Sequence, residues 1–395
     1  MRVRISRNVL IPNAIKLERF RKSPELGPKI LFFSGGTALR GLSRKLILYT
    51  GNSIHIITAF DSGGSSAKLR EAFHMPAVGD VRARLMDLAD QSHQGNPEVY
   101  ELFNYRLPKN IDQRELANEL DYIVKGRHRL IRVIPDPMRK IIRNHLFRFQ
   151  QAMPEEFDLA GASIGNLILT AGYLENRRHL DPVIYIFSQL VWVRGTVRPI
   201  ANKYLHLAAE LEDGSLIVGQ HLMTGKETAP LTTRIKRIFL TNNHENPAPY
   251  LLKLRKKVKK LISEAELICY PMGSFFSSIL VNLEVNGVCT AIATTDAPKI
   301  YVPNTDADPE CIGYTLMDQV EAIMECGRRE NMEITPDQLI TFVLVDRKNG
   351  KYPGSIDADY FALLGIELID CALISPGSEP LIDDNLLLPV LLSLC

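Results

Sequence analysis

A chain of 395 residues that is 46% hydrophobic and 23% charged, with a formal net charge of +2, has the make-up of a globular protein with a large core. The near-neutral balance argues against a dedicated nucleic-acid binder, and no apolar run approaches the roughly 20 residues that cross a bilayer. The six cysteines (Cys269, Cys289, Cys311, Cys326, Cys371 and Cys395) are scattered without a C-x-x-C pair, which argues against a zinc site or a disulfide framework. With no signal-peptide pattern at the start, the expectation is a cytoplasmic protein with neither nucleic acid nor membrane as partner.

Residues 1–28 carry Arg2, Arg4, Arg7, Lys16, Arg19, Arg21 and Lys22 and read as a solvated leading arm before a single domain over 29–395. That domain opens on an apolar run, Lys29–Phe33, which breaks into SGGTALRGL (34–42): a buried strand, a tight turn and a helix start. A second run, His55–Phe60, breaks in the same way into DSGGSSAKLREAF, and MPAVGDVRARLMDLAD (75–90) adds a Gly-Asp turn and an amphipathic helix. Gly35 and Gly36 let the main chain approach an anion closely, and Thr37 adds a hydroxyl donor. Gly63, Gly64, Ser65 and Ser66 repeat the arrangement, and Gly79 opens the third turn. Turns at the carboxyl ends of parallel strands, where helices begin, form cradles for phosphate. Asp61 and Asp80 beside them suit a bridging Mg²⁺, a contact to a ribose or base edge, or a proton acceptor, and Arg82 and Arg84 can neutralise phosphate charge. One such turn is ordinarily a capped helix start, here with Ser65 and Asp80 as caps; three in succession favour phosphate binding.

Residues 97–150 have helical periodicity (Leu102, Phe103, Leu116, Leu120, Ile123, Ile131, Ile141, Ile142, Leu146, Phe147), broken at Pro135-Asp136-Pro137. With their dense basic set they read as a helical insert over about 97–155, whose charge is either a solvated face or a guide for an anionic substrate. Gly161–Leu174 returns to the core as a turn and a buried helix, where Asn166 can donate to a phosphate or ribose, or cap the helix. Residues 181–193 read as an apolar helix with Trp192 in the core. Leu205–Leu211 and Leu216–Gln220 flank an Asp-Gly turn and form a hairpin. His206 and His221 lie far in sequence from these motifs and read as strand or surface positions. Residues 250–264 read as a basic helix, 267–270 as a strand, 274–283 as a helix and 288–294 as a strand. The Gly273-Ser274 turn again offers N–H groups to an anion. Ser277 is expected to reach a ligand, and Ser278 to bond its own helix backbone. Residues 314–329, 339–346, 357–364, 366–374 and 384–394 alternate helix, strand, helix, strand, helix. The fold class is therefore α/β, a doubly wound, mostly parallel Rossmann-like sheet with a β-hairpin and a helical insert.

The order GGT…L-x-GL, D-x-GGSS…LR and GD-x-R resembles the 2-phospho-L-lactate transferase (CofD) superfamily. ASIGNLILTAGYLE (162–175), PMGSFFSSILVNLEVNGV (271–288) and KIYVPN (299–304) are similar to its later motifs, so the resemblance spans residues 31–304. It implies either the transferase of deazaflavin coenzyme biosynthesis or a gluconeogenesis-factor protein that binds nucleotide-sugars. Departures from the family pattern are Ser34 and Ala38 at the outer positions of the first turn, Ser62 where a second acid follows Asp61, and Pro271-Met272-Gly273-Ser274 for Gly-Pro-Gly-Ser.

Three functions follow to be weighed. A transferase would move a phospho-acyl unit from a nucleoside-diphosphate donor to an acceptor hydroxyl, with Asp61 and Asp80 catalytic and Mg²⁺ held by Asp61 together with the nucleotide. The nucleotide or phosphate would lie on Gly35, Gly36, Thr37, Gly63, Gly64, Ser65, Ser66, Gly79, Arg82, Asn166, Gly273, Ser274 and Ser277. A non-catalytic nucleotide-sugar sensor would use the same cradle with its acid pair eroded. A Rossmann dehydrogenase is disfavoured, because no G-x-G-x-x-G follows the first strand. A homodimer is admitted; no residue selects the nucleotide base or the acceptor.

Overall fold

Both faces of the run Ile30–Ser34 are apolar and both are covered. Ile30 and Phe32 sit in one apolar cluster and Leu31 and Phe33 in another, each 0% exposed, as in a central parallel strand with helices on two sides. The computed structural model describes residues 8–92, 95–225 and 229–395. This first strand, β1 (Ile30–Ser34), pairs in parallel with β2 (Ile54–Ile57), and β2 with β3 (Thr196–Pro199). The chain then leaves the sheet for β4 (His206–Leu211), β5 (Leu216–Val218) and β6 (Ile235–Thr241), an antiparallel sheet in the order β5-β4-β6. The expected hairpin is thus two strands of three, and Ile235–Leu240 supplies the third.

The chain returns on the other side of β1 with β7 (Leu267–Tyr270), β8 (Lys299–Tyr301), β9 (Phe342–Val345) and β10 (Glu367–Asp370), all parallel. The seven-stranded order β10-β9-β8-β7-β1-β2-β3 reverses direction between β7 and β1. A crevice opens at the carboxyl ends of the strands where the winding reverses, and ligands bind there in this class of sheet.

Helices Pro97–Asn104, Gln113–Val124, Arg129–Arg132 and Met138–Ala152 make the insert and share one apolar cluster with Ile164–Glu175 and Asp181–Leu190. Ile141 and Phe147, read from periodicity as core, face outward. Three further expectations are corrected. Residues 288–294 form a helix, Val288–Ala293, entered from Gly287 at φ +100°. Trp192 is 51% exposed: the helix ends at Leu190, and the chain turns through Trp192 at φ +50° to enter β3, which leaves the indole outside. The leading segment is not all solvated arm. Helix Ala14–Lys22 lies on the last helix, Asp384–Leu394, where Asn13 N–H donates to Ser393 Oγ at 2.8 Å and Leu17 and Phe20 pack against the apolar cluster there. Arg2, Arg4 and Arg7 lie outside the described residues. No described helix is long and apolar enough to cross a membrane.

Candidate functional site

Two joined chambers open at the carboxyl edge of the large sheet. The first, about 620 Å³, takes its walls from the ends of β1, β2, β7 and β8, so the turns at Gly35-Gly36, Gly63 and Gly273-Ser274 meet in it. Its charged lining is acidic: Asp61, Asp80, Asp306, Asp308 and Asp384, with no lysine or arginine among the described residues. The second, about 710 Å³, lies between the sheet edge and the insert and holds Arg40, Lys68, Arg82, Arg106 and Lys109. Gly36, Thr37, Asp61, Gly63 and Asp80 line both chambers and form their common wall.

Buried arginines brace the turns from behind. Arg84, 0% exposed, donates to Ser43 Oγ at 2.6 Å and to the carbonyls of Gly35 and Gly36 at 3.1 and 3.3 Å. Arg70 does the same for the second turn, donating to the Asp61 carbonyl at 2.8 Å and to the Leu205 carbonyl at 2.6 Å. Burial pulls Arg84 down to about 10, against the opposing pull of Asp87. Asp61 Oδ1 accepts the Gly63 N–H at 3.0 Å, which closes the second turn. Asp80 stands in the first turn of helix Gly79–Asp87, whose N-cap is Val78, so Asp80 is not its N-cap residue. Its carboxylate lies against the first glycine turn: a Cβ on Gly36 would come within 2.2 Å of Asp80 Oδ1. That close approach explains the glycine.

Gly35, Gly273 and Ser274 belong to the first chamber, and Gly64, Ser65, Ser66, Gly79, Arg82 and Asn166 to the second. Ser65 is not an N-cap; the helix Gly64–Phe73 is capped at Gly63 without a side chain. Two expectations fail here. Arg84 is enclosed beneath the glycine turn and does not face a ligand. Ser277 is 0% exposed and donates to Glu310, while Ser278, expected to serve its own helix, lines the first chamber. The anion role of the Gly273-Ser274 turn is also corrected. The Phe275 N–H donates to Asp308 Oδ2 at 2.8 Å, and the Phe276 and Ser277 N–H groups donate to Glu310 Oε2 at 2.9 and 2.8 Å. The chain's own carboxylates occupy this helix start.

The CofD family model, described as 2-phospho-L-lactate transferase CofD, matches residues 30–373. The chain belongs to the CofD family. The gluconeogenesis factor of Bacillus subtilis is 30% identical over 355 residues, covering 87% of this chain and 90% of that protein. That of Halalkalibacterium halodurans is 31% identical over 301 residues, covering 75% and 74%. A solved structure of a UPF0052-family protein from Bacillus halodurans superposes with a TM-score of 0.66 at 25% identity, over 93% of this chain and 99% of that one.

Several side chains that line the chambers of this CofD-family chain were not read as site residues in the sequence. His221, read as a strand or surface position, stands in helix Gln220–Met223 and lines the first chamber, and its Nδ1 bonds Ser62 Oγ at 2.8 Å across the departure from the family's acid pair. Asn304 holds Gly273 on both sides, accepting from its N–H at 2.9 Å and donating to its carbonyl at 2.8 Å. Arg106 and Lys109 reach the second chamber from the insert. Only Asn304 had a local signal, as a polar residue at the end of a strand; the others arrive through long-range folding. Among the described residues no group of three or more His, Cys, Asp or Glu side chains is arranged to hold a metal ion. Asp61 and Asp80 therefore fit a divalent cation only if ligand phosphate and water complete its shell.

Proposed function

We propose that this chain binds a nucleotide-linked small molecule across the common wall of the two chambers. Its phosphates lie by Gly36-Thr37 and Gly63–Ser66 on the cationic side, and its hydroxyl-bearing part lies in the acidic first chamber. The observation that carries this is the division of charge. A diphosphate is repelled by Asp306, Asp308 and Asp384, which line the first chamber alone, and attracted by the arginines and lysines next door, while ribose or sugar hydroxyls donate to carboxylates. Ser34 Oγ and Gln220 Oε1, buried at the first chamber without partners, are further groups for a polar ligand. The gluconeogenesis-factor relatives weigh toward a binding protein. The second reading, transfer of a phospho-acyl unit to an acceptor hydroxyl, is favoured by the meeting of both chambers on Asp61 and Asp80, where donor and acceptor would face each other. Ser62, bonded to His221 in place of a second acid, weighs against it.

A thermal-shift panel of GDP, GMP, UDP-sugars and NADPH, with and without Mg²⁺, tests the binding reading. A true ligand at about 100 times its Kd adds about 2.7 kcal/mol. A flat panel overturns it. Product formation from a nucleoside-diphosphate donor and a hydroxyl acceptor would promote the second reading.

A further inference from the structure

Beyond the wall it shares with its neighbour, the cationic chamber is lined by further groups suited to an anion, next to Ser65. Lys68 is paired with Asp158 and Arg40 with Asp87, but among the described residues Arg82, Arg106 and Lys109 form no ion pair. Arg82 is only 9% exposed; its Nη1 donates to Asn104 Oδ1 at 3.1 Å, and its Nε has no partner. Burial and the like charge of Arg106 pull Arg82 down to about 10, the effect an arriving anion would reverse. Arg106 is fixed by donating to the Gly161 carbonyl at 3.2 Å and to Ser65 Oγ at 3.3 Å. Asn166, 1% exposed, meets Ser65 Oγ through Nδ2 at 3.5 Å, while Oδ1, the other end of its carboxamide, is unpartnered. A half-turn of that amide presents two N–H donors instead. Helices Gly64–Phe73, Gly79–Asp87 and Ile164–Glu175 all begin at this chamber, so their partial positive charges add to the side chains.

We propose that this far end, between Arg82, Arg106, Lys109 and Asn166, binds a second small molecule through a phosphate group while the nucleotide-linked ligand is in place. The proposal rests on the reading above only for where the first ligand lies. A phosphate monoester suits the site better than a monocarboxylate: its two charges meet cations from two elements, and its tetrahedral oxygens meet donors from several directions.

Calorimetric titration of the full chain with inorganic phosphate, ionic strength held constant with sodium chloride, tests it. The expected result is saturable binding that weakens roughly tenfold or more in the double variant Arg106→Gln, Lys109→Gln and persists in Arg106→Lys, Lys109→Arg. Both side chains are exposed, so the variants should fold, and an unchanged circular dichroism melt checks this. Phosphate should still bind through Arg106 and Lys109 in the presence of saturating GDP or UDP-glucose, weakened only by the charge of the neighbouring diphosphate. Binding that the double variant retains, or no binding at all, overturns the proposal. Displacement of phosphate by GDP or UDP-glucose also overturns it, and makes the chamber the phosphate end of the first ligand's site. If phosphate binds through Arg106 and Lys109 while the nucleotides do not bind, the second site stands and the nucleotide reading falls.

Discussion

Arg84 shows how much of the site depends on a side chain that no ligand touches. It bonds two glycine carbonyls and Ser43 and lies 3.7 Å from Asp87, with its whole side chain enclosed. Removing it leaves the carbonyls of the first turn without their buried donor, while Asp87 keeps Arg40 and Arg44. Arg84→Met should therefore cost about 1–3 kcal/mol in urea unfolding, and Arg84→Lys should recover only part, since a point ammonium cannot serve acceptors spread over three residues. A variant as stable as the parent would show that the turn holds itself. The sequence presents Arg82 and Arg84 as equals, yet residues two apart on a helix point in nearly opposite directions. If Arg82 faces the chamber, Arg84 must face the core, and that choice is invisible until the helix is docked.

The same ambiguity recurs in the turn after β7. Phe275–Leu280 is a π-helical turn, and it buries Ser277 while bringing Ser278 to the chamber. Ser277→Ala should destabilise by about 1–3 kcal/mol, because Glu310 loses a partner in a buried setting. Ser278→Ala should leave stability near the parent's and change nucleotide affinity. The reverse pattern would restore the expectation drawn from sequence. Glu310 itself is pushed up to about 7 by burial and by the neighbouring Asp308. The folded chain then keeps a proton that the unfolded chain releases in the ordinary glutamate range. Its contribution to stability is full below that range and is lost as pH rises through about 7, by up to about 1.4 kcal/mol per pH unit. Burial lowers His55, which acts in the opposite direction, so the informative quantity is the difference between the parent and Glu310→Gln. Parent minus variant stability should fall from pH 4.5 to 7; a flat difference would remove Glu310 from the account. Element types were legible where apolar runs led into glycine turns. They were not at 288–294, because a short buried run mixing Val, Thr and Ile with Ala reads equally as strand or helix.

At the scale of the whole molecule, the doubly wound sheet could be read because β1, β2 and β7 carry apolar residues on both faces and the turns after them carry glycine. The convergence of the Gly35-Gly36, Gly63 and Gly273-Ser274 turns follows from that topology alone. The split into an acidic and a cationic chamber could not be read, since it needs β8, the C-terminal helix and the insert to arrive at one edge. Asp61 stands on the wall between the chambers, and the last prediction belongs there. Ser62 replaces a second acid and bonds His221, so the wall offers Asp61 and Asp80 rather than a cluster. One or two carboxylates hold Mg²⁺ weakly, because the ion gives up water reluctantly; a diphosphate supplies the missing oxygens and charge. Metal and nucleotide should therefore bind only together. By linkage, saturating Mg²⁺ must tighten the nucleotide by the factor by which the nucleotide tightens Mg²⁺. Asp61→Asn should abolish that coupling while the amide still accepts the Gly63 N–H, so the turn and the melting temperature stay close to the parent's. Calorimetry with GDP and Mg²⁺, singly and together, decides it. Tight Mg²⁺ binding to the nucleotide-free chain, or a nucleotide affinity indifferent to both metal and Asp61, would show that this wall is not a metal site.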